Sequence, residues 1–290
     1  MKGASHMIHG ITLLDGAGGT CLWDKAEEKV PVWRYNIENP KIVSELHREY
    51  IEAGAEIILA NTFGANGEMV KHSPYTVREV VSAGVRLARE AAEGKAKVAL
   101  SIGPLTGLLE PYGDIEEEEA QALYAEQISA GMDEHPDLIY FETFIDLSML
   151  VIAVKEAVKY SIPVFCTMSF EKVGKTIMGN SVKDMIEALE PLGVAAVGLN
   201  CSLGPDTALP VMKMFRDETN LPLIFKPNAG MSVIDESGQA VGAEYDAEVF
   251  AGDVSPAAGM GVSYIGGCCG STPHYIEVLR GRLESMNQNA

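Results

Sequence analysis

Three cysteines stand where apolar runs give way to turns: Cys201 in "GLNCSLGP", and Cys268 with Cys269 in "YIGGCCGSTP". Three thiolates brought to one point make a tetrahedral zinc site with the fourth position open, the arrangement of a catalytic rather than a structural zinc. An open position on such an ion takes a substrate thiol, lowers its pKa, and leaves electron density on its sulfur. The competing reading is that these thiols are small buried hydrophobes, since free cysteine is among the most buried residue types. Spacing alone leaves both readings open. Cys166, inside an apolar run, reads as packing, and Cys21 has no assigned role. Adjacent cysteines seldom bridge each other without strain, so Cys268 and Cys269 are expected as separate thiols.

Carboxylates occupy comparable positions. Glu142 and Asp146 lie four residues apart in "FETFIDLS", and Asp15 opens the turn "LLDGAGGT". Any of them at the rim of a pocket could hold a substrate ammonium group. On residue type alone, Asp146 reads as a helix N-terminal charge and Asp15 as a turn residue, and those readings are preferred without further context. The glycines after Asp15 could bring backbone N–H groups to a carboxylate. The six histidines form no HExxH or HxxEH motif, so a histidine-ligated metal has little support. Trp23 and Trp33 both fall in the first long connection, as a lid or as an interface.

The elements that must position these residues are legible as eight short apolar runs. They begin at Ile11, Glu56, Lys97, Leu138, Pro163, Ala195, Pro222 and Val262, and each is followed by a stretch of helical periodicity. The seventh helix, "AEVFAGDVSPAAGMG", is the weakest because of Gly252 and Pro256. Eight such alternations predict a single-domain α/β fold, a (β/α)8 TIM barrel. A doubly wound open sheet is the rival, weakened because no GxGxxG follows the first run. In a barrel the last residues of every strand reach one rim. There the sixth and eighth strands are near neighbours, so the three sulfurs can converge. The long connections after the first and third runs would lie on the same face. The acidic run Glu116–Glu119 reads as a solvated helix start.

A formal charge of -19 argues against nucleic acid or an anionic membrane as partner, because both need a cationic footprint. No apolar run approaches the ~20 residues of a bilayer span. Five cysteines, an odd number, do not suggest a secreted disulfide framework, and reduced thiols in the cytoplasm are expected. The opening "MKGASHM", residues 1–7, lacks the pattern of a signal peptide and reads as a cloning remnant.

The motifs together resemble the homocysteine S-methyltransferase family, whose zinc site joins a cysteine after an Asn at strand six to a Cys-Cys pair in a GGCC motif at strand eight. The likeness extends through "LLDGAGGT", "ANTFGAN", "SIGP", "EPYGD", "ETFID", "TMSF" and "PNAGM". Within the family, "NCSLGP", "PNAG" and "GGCCG" look most like the homocysteine-binding module of cobalamin-dependent methionine synthase. One departure is the Gly18-Gly19 pair, where the family often has a bulkier residue. The resemblance implies a homocysteine-binding (β/α)8 methyltransferase domain over residues 8–290. It implies Cys201, Cys268 and Cys269 as zinc ligands, Glu142 holding the homocysteine amino group, Asp15 and Gly16 lining its pocket, and Asn200 and Asp146 as further substrate contacts. The expected reaction gives methionine by direct displacement, with methylcobalamin on a separate corrinoid protein as donor. Three alternatives stand beside it: a betaine- or S-methylmethionine-dependent enzyme, a corrinoid-pathway methyltransferase or demethylase with another thiol, and a zinc- or thiol-binding docking module without activity.

Overall fold

The computed structural model describes residues 10–230, 232–234, 240–242 and 245–288. The expected remnant at residues 1–7 lies outside them. Each of the eight apolar runs forms a strand: β1 Thr12–Leu13, β2 Ile57–Leu59, β3 Lys97–Ile102, β4 Leu138–Phe144, β5 Val164–Met168, β6 Ala196–Asn200, β7 Leu223–Lys226 and β10 Val262–Ile265. All pair in parallel in the order β1-β10-β7-β6-β5-β4-β3-β2. A parallel Leu14–Ile57 bridge and the hydrogen bond from Glu56 N to Leu13 O (2.8 Å) join β1 to β2. The sheet thus closes into a barrel, and the (β/α)8 reading holds over the open-sheet rival.

Two apolar layers result. Leu14, Ile57, Ala99, Leu138, Tyr140, Phe165, Ala196 and Ile224 cluster together inside the barrel. A larger cluster packs the outward faces of the strands against the helices. Burial on both sides is why the strands read as continuous apolar runs rather than as alternating ones. β6 and β7 approach so closely that a Cβ on Gly198 would lie 1.9 Å from the Ile224 carbonyl oxygen.

The helices begin and end on local signals. Pro40 starts Pro40–Ala53, and Gly54 ends it at φ +110°, a conformation that suits glycine. Thr76 and Glu79 form a capping box at the head of Val77–Ala92, as Ser181 and Asp184 do for Val182–Leu189. The acidic run does open a helix, Glu117–Met132. The weakest helix is a helix only over Ala247–Val254. It tightens into a 3-10 turn at Ser255–Met260, where Pro256 removes a backbone donor.

Two segments differ from the sequence reading. The long connection after β1 carries a helix at Gly19–Lys25, a 3-10 turn at Val32–Arg34 and a helical turn at Tyr35–Glu38. Leu22, Trp33 and Tyr35 bury themselves on the barrel, so scattered apolar anchors rather than a regular period hold this stretch. After β7 an antiparallel ribbon pairs β8, Ser232–Ile234, with β9, Ala240–Gly242.

Gly198→Ala is expected to destabilise the barrel by about 2 kcal/mol or more, because two strand backbones must separate to admit one methyl group. Urea unfolding of both proteins measures this, and an unchanged midpoint would contradict the close β6–β7 approach.

Candidate functional site

Cys201 follows the last residue of β6, and Cys268 and Cys269 lie just beyond β10. Their sulfurs all fall within 4.8 Å of one another, and Cys201 and Cys269 are 3.8 Å apart. A tetrahedron with Zn–S bonds of ~2.3 Å separates its sulfurs by roughly 3.8 Å, so the trio fits such an ion after small adjustments. Backbone at unusual angles aims them. Cys201 and Ser202 have φ of +62° and +54°, and Gly270 has φ of +81°. A left-handed turn costs a non-glycine residue free energy and persists only where its surroundings fix it.

The fixing contacts are backbone hydrogen bonds to the end of β7. Cys201 N donates to Lys226 O (3.2 Å), Cys268 N to Pro227 O (2.8 Å), and Ala229 N to Cys269 O (2.8 Å). Asn200, fully buried, adds a side-chain clasp. Its Oδ1 accepts from Thr143 N (2.8 Å) and Thr167 Oγ1 (2.7 Å), and its Nδ2 donates to Thr143 Oγ1 (2.7 Å) and towards Cys268 Sγ (3.6 Å). Thr143 needs the clasp, because a β-branched residue at φ +66° is strained.

The three thiols lie well above the ordinary cysteine range. Their mutual hydrogen bonds come first among the causes, one raising and one lowering each value, and burial then raises all three, placing Cys201 at about 11 and Cys268 and Cys269 at about 12. At neutral pH all three are therefore protonated.

The sulfurs form one wall of a cavity of about 320 Å³. Asp15, Glu142, Ser101 and Lys226 also line it. Glu142 Oε1 accepts a 2.5 Å hydrogen bond from Ser101 Oγ. Burial raises the Glu142 pKa, with Lys226 and Ser101 opposing the rise. Asp15 accepts from Leu59 N through Oδ2 (2.7 Å) and pairs with Lys226 Nζ through Oδ1 (2.8 Å). Gly16 is tightly enclosed: a Cβ there would lie 2.5 Å from Ser271 O and 2.8 Å from the Tyr50 hydroxyl. That hydroxyl lies 2.8 Å from the carbonyls of both Ala17 and Ser271, which share its one proton.

Of the residues singled out by sequence, Asp15, Gly16, Glu142, Cys201, Cys268 and Cys269 line the cavity, and Asn200 stands behind it against Cys268. Asp146 does not join them. It caps the helix Leu147–Ala157, accepting from Ser148 N at 2.8 Å, which is the helix-terminal reading of that residue. Trp33 is buried, while Trp23 is part of the cavity wall and 40 % exposed. Cys166 is wholly buried in β5, and Cys21 packs beside Tyr50, its Sγ 3.7 Å from the hydroxyl.

Sequence reasoning missed Lys226, Ser101, Tyr50 and His47, all of which line the cavity. Lys226 left a signal, a lone charge at the end of the apolar run "LIFK". His47 left none beyond its place on an amphipathic helix. Burial pushes its pKa down to about 4, and its Nε2 has no hydrogen-bond partner among the described residues.

With this geometry in place, comparison with known proteins decides the family. The homocysteine S-methyltransferase family model matches residues 12–283. The chain belongs to the homocysteine S-methyltransferase family. Methionine synthase of Mycobacterium leprae (strain TN) is 31 % identical over 297 residues, covering 94 % of this chain and 24 % of that protein. Methionine synthase of Mycobacterium tuberculosis (strain ATCC 25618 / H37Rv) is 33 % identical over 273 residues, with 87 % and 22 % covered. The chain thus spans less than a quarter of the length of these two relatives. Among solved structures, the oxidised form of the homocysteine methyltransferase MmuM from Escherichia coli aligns with a TM-score of 0.81 at 24 % identity, covering 94 % of this chain and 96 % of that one. Its metallated form gives 0.80 at 23 %, with the same coverage. These two likenesses concern the fold. Among the described residues, no helix is long and apolar enough to cross a membrane.

Metal binding to three protonated thiols must expel protons, so apparent zinc affinity should rise with pH from 6 to 8. The limiting slope is about tenfold per pH unit for each proton released. Competition with a chromogenic chelator, together with proton release into a weak buffer, measures it; a pH-independent affinity would contradict the raised thiol pKa values.

Proposed function

We propose that this chain transfers a methyl group to the sulfur of homocysteine, giving methionine, at a zinc ion held by Cys201, Cys268 and Cys269. The observation that carries the reading is the convergence of three sulfurs on the wall of a cavity whose floor bears buried charge. Bound zinc would supply a thiol acceptor with a lowered pKa and therefore a nucleophilic sulfur at neutral pH.

The protein's own groups do the rest. Glu142 has one oxygen engaged by Ser101, and its carboxylate is the acceptor for the substrate ammonium. That ammonium would offset the burial that raises the Glu142 pKa, so binding and ionisation of Glu142 reinforce each other. Gly16 lets the turn after Asp15 pack closely on Ser271 and Tyr50, which a side chain there would push away from the cavity rim. Asn200 acts indirectly, holding Thr143 and the Cys268 sulfur in place. We assign Asp146 to the helix cap rather than to substrate.

For the donor we propose methylcobalamin presented by a separate corrinoid protein, and we place the transferase domain at residues 8–290. The support is the match to two methionine synthases, together with the exposed aromatic surfaces of Trp23 and Phe63 on the cavity wall. Flat apolar groups at the mouth suit a macrocycle. They would also suit a cationic methyl donor, which an aromatic face attracts.

Assays of zinc-loaded protein with homocysteine and methylcobalamin, betaine or S-methylmethionine separate these donors. Methionine formed with betaine alone would overturn the corrinoid assignment, and zinc and homocysteine binding without transfer from any donor would leave a docking module. Replacing Cys201, Cys268 or Cys269 by Ser should abolish zinc binding and transfer while leaving the circular-dichroism spectrum intact. Glu142→Gln should raise KM for homocysteine by up to about tenfold with a smaller effect on kcat, since the amide oxygen still accepts a hydrogen bond but carries no charge.

A further inference from the structure

The buried ammonium of Lys226 has no counterpart in the roles assigned so far. Its side chain is 2 % exposed, it lines the cavity, and its Nζ lies 2.8 Å from Asp15 Oδ1 and 5.8 Å from the centre of the Tyr140 ring. At 2.8 Å, with both side chains buried, Lys226 and Asp15 form an ion pair inside the barrel mouth.

This pairing changes what the pocket can recognise. Two carboxylates facing one cavity would attract a substrate ammonium strongly. Here one of them is already neutralised by the protein. An incoming ammonium near Asp15 meets an anion and a cation together, and their fields largely cancel. Displacing Lys226 would leave a buried cation without its partner, a loss larger than the gain from the new contact. Only Glu142 remains to reward an amino group. Meanwhile Lys226 has three N–H donors of which Asp15 takes one, so it can still donate to a substrate carboxylate that reaches it.

Building on the acceptor pocket proposed above, we propose that Lys226 is a specificity-determining residue that makes this site tolerant of mercapto acids lacking an α-amino group. Homocysteine and its desamino analogue 4-mercaptobutanoate share the thiol, the carboxylate and the chain length, so they isolate the amino group's contribution.

The test is calorimetric binding of both thiols to zinc-loaded protein, with metal content verified in each sample. The wild type should bind the two with dissociation constants within about tenfold of each other, the worth of one modest charge contact. In Lys226→Met, Asp15 is freed as a second partner for ammonium, and the preference for homocysteine should widen by a further tenfold or so. The double variant Lys226→Met with Asp15→Asn removes both charges and should return the ratio to the wild-type value. A wild-type preference of about a thousandfold would overturn the proposal, since it would mean that Asp15 remains available. So would an equal weakening of both thiols in Lys226→Met, the mark of a purely structural lysine. Should that single variant not fold, the wild-type ratio and the double variant still decide. Failure of both thiols to bind metal-loaded wild type would instead sink the acceptor reading itself, and the proposal with it.

Discussion

The convergence of the three cysteines depends on the end of β7. β6 and β10 are not paired with each other; each pairs with β7, one on either side. Neighbouring strands lie about 4.8 Å apart, so the two cysteine-bearing strands are separated by roughly 9.6 Å. Their sulfurs are nevertheless 3.8 Å apart where Cys201 meets Cys269. The difference is closed by two turns that lean over the end of β7 and hydrogen-bond to residues 226, 227 and 229. Pro227 has no N–H of its own, yet its carbonyl receives Cys268 N, so the proline sacrifices no bond at this point. The left-handed angles at Cys201 and Ser202 follow from the same demand. Strain at these two residues is tolerable because the strands beneath them are fixed by pairing on both sides.

A second consequence concerns charge. The same strand that stitches the cysteine turns delivers Lys226 into the interior, one residue before the proline. A lysine at that depth is costly unless paired, and Asp15 at the end of β1 supplies the pair. Asp15 also accepts from Leu59 N beside β2, so one carboxylate links the ends of three strands. The site and the barrel closure therefore share a residue. Removing Asp15 would disturb the pocket floor and leave Lys226 unpaired at once, which is why a double replacement separates charge from folding better than a single one.

Much of this was legible in the sequence, for physical reasons that differ from part to part. The eight strands could be read because a parallel strand covered on both faces must be apolar almost throughout. The cysteines could be read because strand ends in a closed barrel share one rim, so distance along the chain does not matter. Lys226 escaped because a strand ending "LIFK" reads as an apolar run that has met its polar terminus. Only the pairing with Asp15 across the barrel shows that the terminus points inward. Asp146 went the other way: four residues from Glu142, it shares a motif with the pocket but lies past the strand end, where a helix start claims it. The segment after β1 escaped because its anchors, Leu22, Trp33 and Tyr35, obey no period.

That segment gives the cavity two walls of different kinds. The sulfur wall stands on strand ends tied by backbone bonds, and it can shift little without breaking the β7 clasp. The opposite wall comes from the short helix Gly19–Lys25 and from Pro40–Ala53, which present Leu22, Trp23, Leu46 and His47. Side-chain packing rather than strand pairing holds it, with Trp23 Nε1 donating to Val30 O at 2.8 Å. The sulfur atoms and the charged groups of the cavity thus stand on strand ends, while its apolar side stands on separately packed helices. The shape of that wall could change within residues 18–47 while the three cysteines stay where the barrel puts them, because a ligand set must be rigid and a packed wall need not be.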